Sequence, residues 1–264
     1  LYSMLYLTGH GLTLDDLKNF RQWGSLTPGH PEVGHTAGVE VTTGPLGQGV
    51  ANAVGMALAE RNLRARFGED ACSHYTYFFC GDGDLAEGIS HESASFAGHQ
   101  RLGRLIGVYD DNHISIDGPT ELALSDDAVK RFEGYGWHVI DLGESGEDLD
   151  AIENAFHQAK SEDERPSLII LRTHIGTPSP DIDTADVHGY SLKDDKIADT
   201  KKKMGLPEDE TFYCPQEVLD FYHSAGRRGA SARDEWVESF KNASIDLESW
   251  EACQSGTGLQ GWQE

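Results

Sequence analysis

The run Phe78-Phe79-Cys80-Gly81-Asp82-Gly83-Asp84 and its counterpart Tyr109-Asp110-Asp111-Asn112-His113-Ile114-Ser115-Ile116 decide how this chain folds. Each follows an apolar stretch of strand length: residues 75–80 lead into Asp82, and residues 105–109 lead into Asn112. A helical pattern over residues 91–100 separates them. An oxygen-bearing side chain directly after each strand is what a ligand crevice at the carboxyl ends of a parallel sheet requires.

The same alternation extends outward in both directions. Upstream, the pattern predicts a helix over 15–20 with Thr13 as its N-cap, a loop rich in Gly, Pro and His to about Val41, and a helix over 50–67. Arg61, Arg64 and Arg66 suit the C-terminal end of that last helix. Downstream come a short hairpin at 114–116, a helix over 126–135, a strand over 137–141, a helix over 149–161 and a strand over 167–172. A second polar loop spans 176–190, and helices are expected at 194–204, 215–223 and 232–249. Strands alternating with helices predict an α/β fold, a doubly wound parallel sheet, here with a helical C-terminal tail.

Charge limits the partners. The 264 residues include 45 acidic and 21 basic side chains, a formal net charge of −24, which argues against nucleic acid and anionic membrane. The acidity reads as a solubility feature of the surface, with a salt-adapted source as the alternative. No apolar run approaches the ~20 residues that a membrane span needs. Cys72, Cys80, Cys214 and Cys253 form no CxxC pair, so reduced thiols and a cytoplasmic location are expected.

The residue types around the two strand ends describe a metal-bound diphosphate site. Magnesium is held by few protein oxygens and completes its shell with water and phosphate. Asp82 supplies charge, Asn112 a neutral carbonyl oxygen, and the backbone carbonyl of Ile114 a third ligand. Gly81 and Gly83 let the backbone approach a phosphate, and a helix starting near Glu87 would aim its positive end at the same place. An acid at Glu87 is also what any helix start favours. There is no G-x-x-x-x-G-K-[ST] and no strand-linked GxGxxG, which leaves a nucleotide-phosphate fold with little support.

Further blocks match one family. They are Phe20-Arg21-Gln22, Thr27-Pro28-Gly29-His30-Pro31-Glu32, Gly38-Val39-Glu40, Thr42-Thr43-Gly44-Pro45-Leu46-Gly47-Gln48-Gly49 and Ala51-Asn52-Ala53-Val54-Gly55-Met56-Ala57. Gly81-Asp82-Gly83, Glu87-Gly88-Ile89-Ser90, Asp110-Asp111-Asn112 and Tyr135-Gly136-Trp137 continue the match. Over nearly its whole length the chain resembles the transketolase family.

The resemblance implies thiamine diphosphate with Mg2+, or Ca2+ or Mn2+ in its place, and transfer of a two-carbon ketol group from a ketose phosphate to an aldose phosphate. It implies metal ligation by Asp82, Asn112 and Ile114, and cofactor contacts from Gly44, Pro45, Leu46, Gly81, Gly83, Asn112 and His188. Leu46 would lie against the aminopyrimidine. His30 and His188 become catalytic groups near the substrate hydroxyls, and Glu87 a member of a glutamate network at a subunit contact. Cys80, inside an apolar strand, is expected to be core rather than reactive.

By the same resemblance, residues 1–255 form a diphosphate-binding domain incomplete at its N-terminus, and 256–264 begin an interdomain linker. The pyrimidine-binding and C-terminal domains are absent, so a fragment or one subunit of a split enzyme is expected, inactive alone. A homodimer, or a separate pyrimidine-domain chain, would complete the site for sugar-phosphate substrates. Two alternatives stay open: a relative resembling dihydroxyacetone synthase, and a non-catalytic thiamine-fold subunit.

Overall fold

The computed structural model describes residues 1–257. The chain starts with α1 (Tyr2–Leu7) and α2 (Leu14–Lys18). α2 begins where the sequence provides a cap: Thr13 Oγ1 accepts the Asp16 N–H at 3.2 Å, and the Asp16 carboxylate accepts the Thr13 N–H at 2.7 Å. That reciprocal pair satisfies donors the helix itself cannot. After a long loop come α3 (Gln48–Phe67), β1 (Thr76–Gly81), α4 (Asp82–Ala86), α5 (Gly88–Gln100) and β2 (Leu105–Asp111). β3 (Ile114–Ser115) and β4 (Gly118–Pro119) make a hairpin, followed by α6 (Ala128–Gly134), β5 (His138–Asp141), α7 (Leu149–Ser161) and β6 (Ser167–Arg172). The described chain finishes with α8 (Asp186–Gly189), α9 (Asp194–Lys203), α10 (Gln216–Asn242) and α11 (Leu247–Ser255).

β1, β2, β6 and β5 form a four-stranded sheet in that order, with every pairing parallel. β2 and β6 lie inside it, and their runs Leu105-Ile106-Gly107-Val108 and Ser167-Leu168-Ile169-Ile170 are buried on both faces, as central parallel strands require. Helices cover the two faces. On one, Phe78, Cys80, Leu168 and Ile170 pack with Val50 and Ala53 of α3, Ala94 and Ala97 of α5, Phe132 of α6 and Trp137. The alanines let α5 approach closely, and the Trp137 indole N–H donates to the Ala94 carbonyl at 2.8 Å. On the other face, Ile106, Ile140 and Ile169 pack with Ala155 and Ala159 of α7. Burying each large side chain here contributes about 1.5–3 kcal/mol.

α3 carries one acid into the interior. Glu60 is 1 % exposed and accepts from Arg64 Nε at 2.9 Å and Arg104 Nη1 at 3.1 Å. An unpaired carboxylate at that depth would be strongly destabilising, so both guanidinium groups are needed there. Arg64 therefore works through an ion pair as well as through the helix end, and Arg61 reaches across to Gln100 of α5.

Several expected boundaries differ. α1, α4 and α8 have no counterpart in the sequence pattern. The helices expected at 215–223 and 232–249 are one 27-residue helix, α10, and the break falls instead after Asn242, where Asp246 caps α11 through the Ser249 N–H. Gly226 and Gly229 lie between the two expected helices. In the structure Gly226 is an approach site: a Cβ there would lie 2.3 Å from the Thr8 carbonyl oxygen at the end of α1.

Candidate functional site

The register brings the two strand ends together. Gly81 is the partner of Asp110 across β1 and β2, so Asp82 and Asn112 leave neighbouring parallel strands at the same edge of the sheet. β6 adds Thr173 at that edge, and its hydroxyl donates to the Asp110 carboxylate.

Asp82 is 7 % exposed. Its Oδ1 accepts the Tyr109 hydroxyl at 2.6 Å, and its Oδ2 is buried with no hydrogen-bonding partner. A buried carboxylate oxygen with no donor is costly by itself, which suits an atom reserved for a cation. Burial raises the Asp82 pKa above the usual carboxylate range; the Tyr109 bond opposes that rise, and nearby Asp111 reinforces it. Tyr109 also lies 3.0 Å from Asp111 Oδ1, but its hydroxyl has one proton, and the shorter contact is to Asp82. Burial and the two carboxylates push the Tyr109 pKa up, so it stays a donor. Asp82 opens on a cavity of about 240 Å³ lined by Tyr109, Asp111, His113, Asp126 and Arg131 among others. Asn112 and Leu46 do not line it, so this cavity lies to one side of the expected ligand set.

Asn112 is half-buried. Its Oδ1 accepts the Ile114 N–H at 3.0 Å, and its Nδ2 donates to Asp110 Oδ2 at 3.3 Å. The Asx turn that such a residue often makes is therefore present, and an amide oxygen keeps a second lone pair. Ile114 pairs with Pro119, which has no N–H, and the Thr120 N–H already donates to the His113 carbonyl at 2.9 Å. The alternation of an antiparallel ladder thus turns the Ile114 carbonyl away from β4. Among the described residues no group of three or more His, Cys, Asp or Glu could hold a metal. One carboxylate, one amide and one backbone carbonyl is a hard-oxygen set that fits a cation sharing its shell with a ligand's phosphates.

The other expected residues form a chain of contacts. A Cβ on Gly83 would lie 3.1 Å from Leu46 Cδ1, so Leu46 covers the Gly81–Gly83 turn. A Cβ on Gly44 would lie 3.0 Å from His30 Nδ1, which puts the exposed His30 ring against the Gly44–Leu46 segment. Glu87 is exposed and N-caps α5 beside Gly47. The helix expected to aim its positive end from Glu87 at the diphosphate is instead preceded by α4, and its first turn meets Gly47. His188 is exposed on α8, whose Gly189 abuts the Ile116 side chain next to the Asn112 turn. Pro45 lies between Gly44 and Leu46 in the same loop. Burial raises the Cys80 thiol pKa, in keeping with a core role.

Two residues escaped the sequence reading. Tyr109 ends a buried strand like any core aromatic; only the fold aims its hydroxyl at Asp82. Asp84 bridges the Gly47 and Gly81 N–H groups. The signal available for it was an acid at the third position of the helix that follows Gly81.

A family model described as "Transketolase, thiamine diphosphate binding domain" matches residues 1–252. A transketolase of Halalkalibacterium halodurans is 49 % identical over 99 % of this chain and 40 % of its own length. Transketolase 1 of Saccharomyces cerevisiae is 49 % identical over 91 % of the chain and 36 % of its own length. A Pichia stipitis transketolase solved with sedoheptulose-7-phosphate superposes with a TM-score of 0.87 at 46 % identity, covering 91 % of this chain and 36 % of that one. The Campylobacter jejuni enzyme gives 0.88 at 41 % identity, with coverage of 92 % and 38 %. The chain thus spans about two fifths of the length of the curated relatives it matches.

Proposed function

The chain belongs to the transketolase family, and from that premise we propose that it supplies the diphosphate-binding half of a thiamine diphosphate site for ketol transfer between sugar phosphates. The observation that carries the reading is Asp82 Oδ2, buried and without a donor at the end of a parallel strand. Asp82, the Asn112 amide oxygen and the Ile114 carbonyl are assigned to a divalent cation, Mg2+ by preference and Ca2+ or Mn2+ as substitutes. Gly81 and Gly83 give the diphosphate room, and the Gly44-Pro45-Leu46 segment meets the organic part of the cofactor. When bound, thiamine diphosphate supplies a nucleophilic carbanion, the chemistry that two-carbon transfer requires.

His30 and His188 are assigned to substrate hydroxyl oxygens, where an imidazole can hold or move a proton near neutral pH. His188 serves the diphosphate as well. Glu87, on the rim beside Gly47, is assigned to a contact with a second subunit. We read residues 1–255 as one domain; a homodimer partner, a further domain or a separate pyrimidine-domain chain brings the groups that activate the cofactor. Among the described residues no helix is long and apolar enough to cross a membrane, and a cytoplasmic setting is part of the proposal.

Calorimetric titration of thiamine diphosphate with magnesium, and again with a chelator, tests the reading: binding is expected only with the metal. Binding that ignores the metal, or no binding in the full-length protein, would sink it. An assay across aldose phosphates and formaldehyde separates transketolase activity from that of a dihydroxyacetone synthase.

A further inference from the structure

The last residue of the Gly-Asp-Gly-Asp run joins two stretches far apart in sequence. Asp84 is half-buried in α4, where its Oδ2 accepts the Gly81 N–H and its Oδ1 the Gly47 N–H, both at 3.0 Å. Its backbone carbonyl accepts the Ser90 hydroxyl at 2.5 Å, which ties in the first turn of α5. Gly47 N-caps α3 with φ of 78°, so its N–H has no partner within the helix. A Cβ there would come within 2.8 Å of Ser90 Oγ and 2.9 Å of Glu87 Cβ, so the segment has little room to shift. Leu46, the preceding residue, already lies over Gly83.

We propose that Asp84 is a positioning residue for the cofactor. By bridging the Gly81 and Gly47 N–H groups, its carboxylate fixes the Gly44–Leu46 segment, assigned to the organic part of the ligand, against the turn assigned to the diphosphate. The role rests on the reading of this place as a thiamine diphosphate site. Bonds from backbone N–H to an ionised acceptor are about twice as strong as neutral ones. Only a group with two acceptor oxygens can take both N–H groups; asparagine keeps one acceptor and sets an NH2 against the other N–H, and alanine removes both.

The test uses D84A and D84N in the full-length protein. Each is titrated with magnesium plus thiamine diphosphate and, separately, with magnesium plus inorganic pyrophosphate, which needs only the turn and the metal ligands. Thiamine diphosphate affinity is expected to fall about tenfold or more in D84A and less in D84N, while pyrophosphate affinity, which feels only the lost Gly81 bond, falls by a clearly smaller factor. Hydrogen exchange at the Gly47 amide should quicken in the cofactor-free variants. If D84A does not fold, D84N alone decides. A general loss of structure would weaken both ligands by the same factor, and that result overturns the role, as does unchanged thiamine diphosphate affinity. A parent protein that fails to bind thiamine diphosphate overturns the reading of the site, and the role of Asp84 with it.

Discussion

Asp82 and Tyr109 act as a pair, with the tyrosine hydroxyl holding one carboxylate oxygen so that the other keeps its direction. Removing such an orienting partner costs about 10–100-fold in metal affinity, so Tyr109→Phe should weaken magnesium-dependent binding by that factor. Calorimetry with magnesium and thiamine diphosphate reads it. The raised Asp82 pKa also fixes a sign. The folded protein holds this proton more tightly than the unfolded chain, so the contribution to stability is present at low pH and lost as pH rises through the folded pKa. Without metal, Asp82→Asn should therefore be at least as stable as the parent at neutral pH, yet gain nothing from magnesium in thermal melts. His138 has the opposite sense: burial, with Arg165 nearby, lowers its pKa. Its contribution is present above the ordinary histidine range and lost as pH falls toward the folded pKa, so His138→Gln should flatten the loss of stability from pH ~7 to ~5. Denaturant melts across that range measure the slope.

The helices owe their limits to particular side chains. α2 has the Thr13–Asp16 capping pair, and Thr13→Ala should cost about 0.5–2 kcal/mol in chemical denaturation. α10 runs unbroken through Gly226, where the helix meets the Thr8 carbonyl. Gly226→Leu should release α10 from α1 while leaving it helical, with hydrogen exchange quickening at residues 2–7 and the circular dichroism spectrum retained. Unchanged exchange there would show that the close approach does not hold the two helices together. α1, α4 and α8 could not be read from the sequence, since helices of 6, 5 and 4 residues form only when tertiary contacts support them.

Across the whole molecule, a net charge of −24 makes like charges repel, and the proposed ligands, a diphosphate and sugar phosphates, are anionic as well. Screening acts over about 8 Å at physiological ionic strength, so the unfolding midpoint should rise as salt increases from low to physiological concentration. A midpoint that falls along the series would remove self-repulsion as a feature of this fold. Within that field, the metal proposed for Asp82, Asn112 and Ile114 would supply the local positive charge that phosphates need.

The parallel sheet and the strand ends carrying Asp82 and Asn112 were legible in the chain, because hydrophobic periodicity and glycine-bounded turns are local properties, whereas the segment Gly44–Leu46 was singled out only by the family resemblance. Tyr109 over Asp82, Asp84 across to Gly47, Leu46 over Gly83 and the unbroken α10 were decided only in three dimensions. A hydroxyl, a carboxylate or a glycine gains these roles from what stands opposite it, and strand register and helix packing choose that neighbour from residues distant in sequence.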